Sequence, residues 1–228
     1  MKSDFINTVV EILKQTKERE VLNNLEGSIR DFLEQFDIHE DQEGVIIVNR
    51  EKRINLAMAV VERGMDISEV ISLLTWKDFE GLIASILIEN GFRCVESYRR
   101  RGNSLEKGME IDVIGIRGQN VLSVDAKMWG VRGGKKTSLR TAAVKQKERT
   151  MKLVTQNELL SKKIQVEIKG QYEFIPIIVT WMVEEVELHE GVPVVPVFKF
   201  NSFILDFETY RDLIVSYSGQ FTQVKNLQ

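Results

Sequence analysis

The sequence predicts an α/β fold built on a mixed sheet flanked by helices, preceded by a small, mainly helical domain. Two observations carry this prediction. Apolar residues before position 75 recur mostly at helical spacing, and after position 75 helical segments alternate with short β-branched and apolar runs. We therefore expect two domains, residues 1–74 and residues 75–228, with the sheet in the second.

The first domain is predicted to consist of short helices. Helical spacing covers residues 1–37, and a short apolar run at 44–48 suggests one strand. Asn49 is placed to cap a helix that ends near Gly64, and another short helix is expected to follow. Two short helices joined in this way are typical of a helix-turn-helix or winged-helix domain, and equally of a small packing or dimerisation domain.

The second domain begins with a helix whose opening residues, Thr75-Trp76-Lys77-Asp78, match a capping box. The pattern then predicts a strand, a β-hairpin, a long helix, two further strands and a closing helix. These elements are expected at residues 92–98, 108–129, 137–157, 174–183 and 192–198, with the last helix starting at Asp206 or Thr209.

The hairpin over residues 108–129 carries charged side chains inside strands that otherwise resemble core. Strand alternation places Glu110 and Asp112 on one face of the first strand. It likewise places Asp125 and Lys127 on one face of the second strand. Charged groups in strands of this kind indicate a functional site.

The register of the hairpin decides whether these residues meet. A two-residue turn at Gly118-Gln119 would place Asp112 opposite Asp125, and a turn at Gln119-Asn120 would place it opposite Lys127. Either register directs the acids and the lysine to a common face. A plain three-residue loop would turn Asp112 away, because a slip of one residue reverses the facing of a strand.

The helix before the hairpin contributes another candidate. Glu80 lies three and four residues before Ile83 and Ala84, close to the apolar face of that helix. A carboxylate at the margin of a core is costly unless it is paired or bound to a cation. We therefore count Glu80 among the candidate site residues.

The net charge of −3 conceals a basic middle. Residues 93–163 hold 17 Lys and Arg against 7 Asp and Glu, whereas the remainder holds 14 against 27. A basic segment within an acidic chain is typical of a local polyanion-binding surface. The cations expected to contact nucleic acid lie in a basic loop, a glycine-rich segment and the following helix: Arg99, Arg100, Arg101, Arg132, Lys135, Lys136, Arg140 and Lys145.

Composition argues against several other classes of protein. The single cysteine, Cys94, allows no internal disulfide, and the two distant histidines, His39 and His189, argue against a Ser-His-Asp triad or a histidine-rich metal site. No apolar run approaches the roughly 18 residues needed to cross a membrane. The amino terminus lacks the pattern of a secretory signal, so we expect a cytoplasmic protein.

These motifs resemble the PD-(D/E)XK nuclease superfamily, most closely its Mrr-type and archaeal restriction endonuclease-like members. The resemblance covers Trp76 to about Phe207 and implies a restriction endonuclease-like core. Ile111 stands where the superfamily usually has Pro, and the second acid is Asp instead of Glu. The matching segments are Phe79-Glu80-Gly81-Leu82, Asn90-Gly91-Phe92, Glu110-Ile111-Asp112-Val113-Ile114 and Asp125-Ala126-Lys127, followed by the basic helix.

The resemblance implies a Mg²⁺-dependent DNA endonuclease that accepts Mn²⁺ as a substitute. Asp112, Asp125 and the Ala126 carbonyl would bind the metal, and Glu80 would add a further oxygen directly or through water. Lys127 would orient the attacking water, help to deprotonate it, or offset charge on the phosphate.

Glu110 and Gln146 are expected to support this site. Glu110 would act as an extra ligand or hold the ligands in place, and Gln146 would contact the phosphate or the lysine. Three alternatives stay open: a structure-specific nuclease acting on Holliday junctions or flaps, a catalytically silent DNA-binding protein, and a protein-interaction module using the acidic amino-terminal part. A homodimer is expected by analogy with superfamily members that cut both strands.

Overall fold

A computed structural model of the chain describes residues 2–22, 27–102, 108–128, 135–164 and 170–221. The chain divides into two compact units, Met1–Leu82 and Ile83–Gln228. The division falls inside a single helix, which begins in the first unit and ends in the second.

The first unit is mainly helical. Residues 1–37 do not form the helical stretch predicted throughout, because a short strand interrupts it and pairs antiparallel with a second one. The elements are α1 (Lys2–Gln15), β1 (Val21–Leu22), α2 (Gly27–Glu34), β2 (Ile46–Ile47), α3 (Arg50–Glu62), α4 (Ile67–Leu73) and the first half of α5 (Trp76–Glu89).

Capping residues set the starts of two of these helices, as their sequence predicts. Asn49 accepts a hydrogen bond from the backbone nitrogen of Lys52 at 3.0 Å and so caps α3. At α5, Thr75 Oγ1 accepts from Asp78 N at 3.1 Å, and Asp78 Oδ2 accepts from Thr75 N at 2.7 Å. This reciprocal pair is the capping box expected at Thr75.

Arg53 connects four helices of the first unit from a buried position. Its guanidinium donates to Leu13 O at 2.9 Å, Thr16 Oγ1 at 2.5 Å, Leu73 O at 2.7 Å and Asp78 Oδ2 at 3.1 Å. The side chains of Arg53 and Asp78 are only 1% and 3% exposed. The two carbonyls lie in last turns of helices, where intrahelical partners are missing. One side chain therefore satisfies two helix ends and one buried carboxylate.

Replacing Arg53 by Met should destabilise the first unit strongly. The change leaves Asp78 buried without its cation, which costs about 3–5 kcal/mol. We expect the loss in the urea unfolding of the full chain. The matched control is Arg30→Met, which removes a partly exposed pair with Glu40 and should cost less than about 1 kcal/mol. Equal effects of the two variants would contradict the role of Arg53.

The second unit is a mixed sheet between helices, which confirms the predicted α/β class. Its elements are β3 (Arg93–Arg100), β4 (Met109–Arg117), β5 (Asn120–Lys127), α6 (Lys135–Thr155), α7 (Glu158–Ile164), β6 (Gly170–Thr180), β7 (Leu188–His189), β8 (Val192–Pro196), α8 (Val197–Leu205), a 3-10 helix (Phe207–Leu213) and β9 (Tyr217–Phe221). Over the described residues the strand order is β3-β4-β5-β6-β8-β7, and β9 also pairs with β6. Strands β3, β4 and β5 are antiparallel neighbours, whereas β6 runs parallel to β5 and to β8.

Helices cover both faces of the central strands. Gly115 of β4 faces α5, because a Cβ added there would lie 3.1 Å from Leu87 Cδ1. The preceding residue, Ile114, pairs with Ser123 of β5, which is bonded to Gln146 of α6 on the opposite face. Consequently the middle of β5 is buried from both sides. No helix in the described parts of the chain is long and apolar enough to cross a bilayer.

Element boundaries near the carboxyl end differ from the prediction. The strand predicted over 192–198 stops at Pro196, and α8 starts at the next residue. Pro lacks the N–H that a strand ladder requires, and its φ of −67° suits a helix entrance. The closing helix is a 3-10 helix that follows α8, and α6 starts at Lys135 instead of Thr137.

Cys94 is a partly buried residue of β3. Its Sγ lies 3.8 Å from the carbonyl of Ala84 in α5. Burial, with a smaller contribution from the charge of Glu96, raises the pKa of the thiol to about 12. The thiol therefore stays protonated at neutral pH, as expected of a small core residue.

Candidate active site

The β4–β5 hairpin turns through Gly118-Gln119, the first of the two registers considered. Gly118 has a φ of 56°, a conformation that glycine adopts readily. The ladder runs from this turn to Val113 and Val124, its last pair. Continuing the register by one residue places Asp112 opposite Asp125. The hairpin therefore has one of the two registers that direct Asp112, Asp125 and Lys127 to a common face.

Asp112 lies where the two strands stop pairing. Its Oδ2 accepts a hydrogen bond from Ala126 N at 2.8 Å, so a carboxylate takes the place of the backbone partner. Trp181 N donates to Lys127 O at 3.2 Å, so the Lys127 carbonyl faces β6. Because backbone groups alternate along a strand, the N–H and C=O of Ala126 face β4. The carbonyl expected as a ligand is thus on the Asp112 side.

Asp125 is 2% exposed and holds two cations. Lys127 Nζ lies 2.6 Å from Oδ2, and Arg149 Nη1 donates to Oδ1 at 2.8 Å. Apart from this ammonium group, Oδ2 has no hydrogen-bond donor among the described residues. A buried carboxylate requires such compensation, because leaving water is costly for a charge.

Ser123 and Gln146 form a polar contact beneath this site. Both residues are fully buried. Gln146 Nε2 donates to Ser123 O at 2.7 Å and to Ser123 Oγ at 2.9 Å. The amide nitrogen predicted to contact phosphate or Lys127 therefore faces the strand. Gln146 Oε1 is buried and has no hydrogen-bond donor among the described residues.

A cavity of about 420 Å³ opens beside Asp125. The described residues that line it include one carboxylate, that of Asp125, and three cations. The α6 members of the lining recur every three or four residues, so they form one stripe of the helix. The cavity therefore favours an anion. Its lining residues are Asp125, Lys127, Thr137, Ser138, Thr141, Ala142, Lys145 and Arg149.

The other two predicted acids are Glu110 on β4 and Glu80 on α5. Glu110 is half exposed, and its Oε1 accepts from Arg99 Nε at 2.8 Å and Arg99 Nη2 at 2.7 Å. Its partner is thus a predicted DNA-binding cation on the neighbouring strand. Glu80 is buried, and it belongs to the first unit.

The predicted DNA-binding cations are distributed over several surfaces. Lys145 lines the cavity, and Lys136 Nζ is 4.0 Å from Glu185 Oε2. Arg100 is half-buried, whereas Arg101 and Arg140 are exposed. Arg132 and the side chain of Lys135 lie outside the described residues, so their predicted contacts stay predictions.

Two carboxylates and one carbonyl offer oxygen donors to a divalent cation. In the described ranges no group of three or more His, Cys, Asp or Glu side chains is arranged so that it could hold a metal ion by itself. Asp112 and Asp125 nevertheless occupy facing positions with the Ala126 carbonyl between the strands. In the described part of the chain the buried Asp125 Oδ2 has no donor besides the Lys127 ammonium group. This all-oxygen set fits a hard cation such as Mg²⁺.

Arg149 is the residue of this site that the sequence analysis missed. It lies four residues after Lys145, and Thr141 lies four residues before Lys145, so all three share one helix face. That spacing is visible in the sequence. The position of this helix face over β5 is not, and it is this position that brings Arg149 to Asp125.

Removing the amide of Gln146 should destabilise the second unit. In Gln146→Leu the buried Ser123 hydroxyl loses the amide that donates to it, and the Ser123 carbonyl loses one of its contacts, which together cost about 1–3 kcal/mol. The measurement is urea unfolding of Gln146→Leu, Ser123→Ala and the double variant. Residues in contact should show a coupling free energy of about 0.5 kcal/mol or more. Purely additive effects would contradict the contact.

Comparison with known proteins yields structural neighbours alone. No known family profile matches the chain, and no curated protein sequence matches it. The fold is similar to that of protein VC1899 from Vibrio cholerae, with a TM-score of 0.35, 12% identity, and coverage of 93% of this chain and 52% of that one. It is also similar to Can2 from Sulfobacillus thermosulfidooxidans in complex with cyclic tetra-adenylate, with a TM-score of 0.33, 8% identity, and coverage of 90% and 51%. The chain spans about half the length of each.

Proposed function

We propose that this protein is a Mg²⁺-dependent DNA endonuclease. The observation that carries the proposal is the facing pair Asp112 and Asp125 at the end of the β4–β5 ladder, with Lys127 Nζ 2.6 Å from Asp125 Oδ2. Beside this pair is a cavity lined by cations and hydroxyl groups. Metal-dependent phosphodiester hydrolysis needs carboxylates that hold the metal ion next to a surface that binds the anionic phosphate.

We extend the proposal to a restriction endonuclease-like core. Its support is the order of elements in the second unit: the end of α5, the antiparallel strands β3, β4 and β5, the basic helix α6, and β6 parallel to β5. The two acids and the lysine lie on the second and third of these strands. This matches the helix, strands and basic helix on which the sequence resemblance rests.

The residues of the site have separate tasks in this mechanism. A magnesium ion held by Asp112, Asp125 and the Ala126 carbonyl would supply an acidified water and offset charge that develops on the phosphate. Lys127 lies next to Asp125 and, as an ammonium ion, would orient the water and favour the loss of its proton to solvent. Asp112 is held in place by the Ala126 N–H, so its carboxylate is preorganised.

The α6 face of the cavity would bind the substrate phosphate. Lys145 and Arg149 would neutralise a phosphate oxygen, and the hydroxyl groups of Thr137 and Ser138 add neutral polar groups, whereas that of Thr141 donates to Thr137 O. None of these groups distinguishes one base from another. Superfamily members that cut both strands of a duplex often dimerise, so by analogy the proposal includes a homodimer on DNA.

A second candidate is a catalytically silent DNA-binding protein. The observation in its favour is that Lys127 and Arg149 already neutralise Asp125. A permanent ion pair of this kind would leave the basic cavity as a phosphate-binding surface without chemistry. The two candidates differ in whether DNA is cleaved when Mg²⁺ or Mn²⁺ is supplied.

Substitution at Lys127 should lower the rate of cleavage strongly, while Arg149 continues to pair with the buried Asp125. We expect Lys127→Met to lower the rate by about 10²–10³-fold, the usual loss when one positioned donor that stabilises developing charge is removed. Asp112→Ala should lose activity as well. The assay uses supercoiled plasmid, linear and methylated duplex, single strands and four-way junctions, with Mg²⁺, with Mn²⁺ and with chelator. Lys152→Gln, an exposed charge change on α6 outside the cavity lining, is the control and should cleave normally.

The outcomes separate the candidates. Cleavage that depends on the metal, on Asp112 and on Lys127 supports the endonuclease. Tight binding with no cleavage on every substrate and with either metal supports the silent protein. Cleavage of junctions alone selects the structure-specific alternative.

Lys145 should contribute one phosphate contact. We expect Lys145→Gln to weaken duplex binding in chelator and to reduce the slope of log K against log salt by about 1. Lys199→Gln, an exposed residue of α8 that does not line this cavity, should leave the slope unchanged. An unchanged slope in Lys145→Gln would remove the cavity from the DNA interface.

A further inference from the structure

Arg149 holds an oxygen of Asp125 that the proposed function assigns to a metal. Its Nη1 lies 2.8 Å from Oδ1, and Lys127 Nζ lies 2.6 Å from Oδ2. Both carboxylate oxygens of Asp125 are therefore next to a cation. A divalent cation at Asp125 would have to compete with these two groups.

The net charge of the cavity disfavours a divalent cation unless an anion binds at the same time. The described lining contains three cations, Lys127, Lys145 and Arg149, and one carboxylate, Asp125. Adding a divalent cation would increase the net charge of the cavity, which is already positive. A phosphate group entering at the same time offsets it and offers Arg149 another pair of anionic oxygens for its fork of donors. The metal and the phosphate thus favour one another electrostatically.

The position of Arg149 allows it to change partners. The Asp125 side chain is 3% exposed, but that of Arg149 is 38% exposed, and both line the cavity. Lys145, one helical turn earlier, faces the same space. Side chains one turn apart are neighbours, so two like charges here repel unless an anion lies between them.

We propose that Arg149 is a positioning residue that blocks Asp125 until DNA arrives. Without DNA its guanidinium occupies Asp125 Oδ1 and weakens metal binding. A substrate phosphate draws the guanidinium away, and the freed carboxylate oxygen becomes available to the metal. Metal and DNA therefore bind with positive coupling, which by linkage is equal in both directions. This inference rests on the proposed function, because it uses the same carboxylate as a metal ligand.

The decisive experiment measures Mn²⁺ binding without DNA, by titration calorimetry or by the loss of the free-ion resonance. We expect Arg149→Gln to bind Mn²⁺ about 5–10-fold more tightly than the natural chain, a typical coupling between sites. A merely structural role would change the affinity in the opposite direction. Arg149→Lys, which keeps the charge but loses the planar fork, should lie between the two.

Two controls make the result specific. Lys152→Gln removes the same charge from α6 outside the cavity lining and should change Mn²⁺ affinity less than about twofold, because exposed charges are strongly screened. Asp125→Asn should remove the binding in every background. In chelator, Arg149→Gln should also lower the salt slope of duplex binding by about 1.

Each outcome has a definite meaning. Equal or weaker Mn²⁺ binding in Arg149→Gln, or an equal gain in Lys152→Gln, overturns the blocking role and leaves the proposed endonuclease standing. Absence of Asp125-dependent Mn²⁺ binding in all variants overturns both proposals. A gain confined to position 149 supports the inference even before any cleavage is measured.

Discussion

The site depends on the point at which β4 and β5 separate. The two-residue turn keeps the strands in register as far as Val113 and Val124, and Asp112 is the next residue. Its carboxylate then bonds the N–H of Ala126, which the departing strand would otherwise leave without a backbone partner. The relative positions of Asp112 and Asp125 are therefore determined by hydrogen bonds of the β4 and β5 backbones.

Because Asp125 is buried, the site also depends on the two cations that compensate its charge. A nearly fully buried carboxylate is stable when opposite charges and hydrogen bonds replace its water. Lys127 comes from the same strand, whereas Arg149 comes from a helix that covers that strand. Of these two cations Arg149 is the more exposed, so it is the one that exchanges its partner at the lower cost.

Strand alternation and capping chemistry are local, and they predicted the hairpin face and the capping box at Thr75. The sequence left two registers open, because Gly118-Gln119 and Gln119-Asn120 are both acceptable turns. The contact of Arg149 with Asp125 joins residues 24 positions apart and depends on how a helix lies over a strand. Likewise, the apolar run around Pro196 suits a strand or a helix, and tertiary packing decides between them.

The buried contact between Gln146 and Ser123 explains how α6 acquires its position. The first turns of α6 line the cavity with Lys127 at the end of β5, while Leu153 packs with Val121 at its start, so the helix runs back along the strand. Gln146 lies between these ends and its bonds to Ser123 fix the helix axially. Helical side chains tilt toward the amino terminus of their helix. Arg149, one turn beyond Gln146, is thereby directed back along α6 to Asp125.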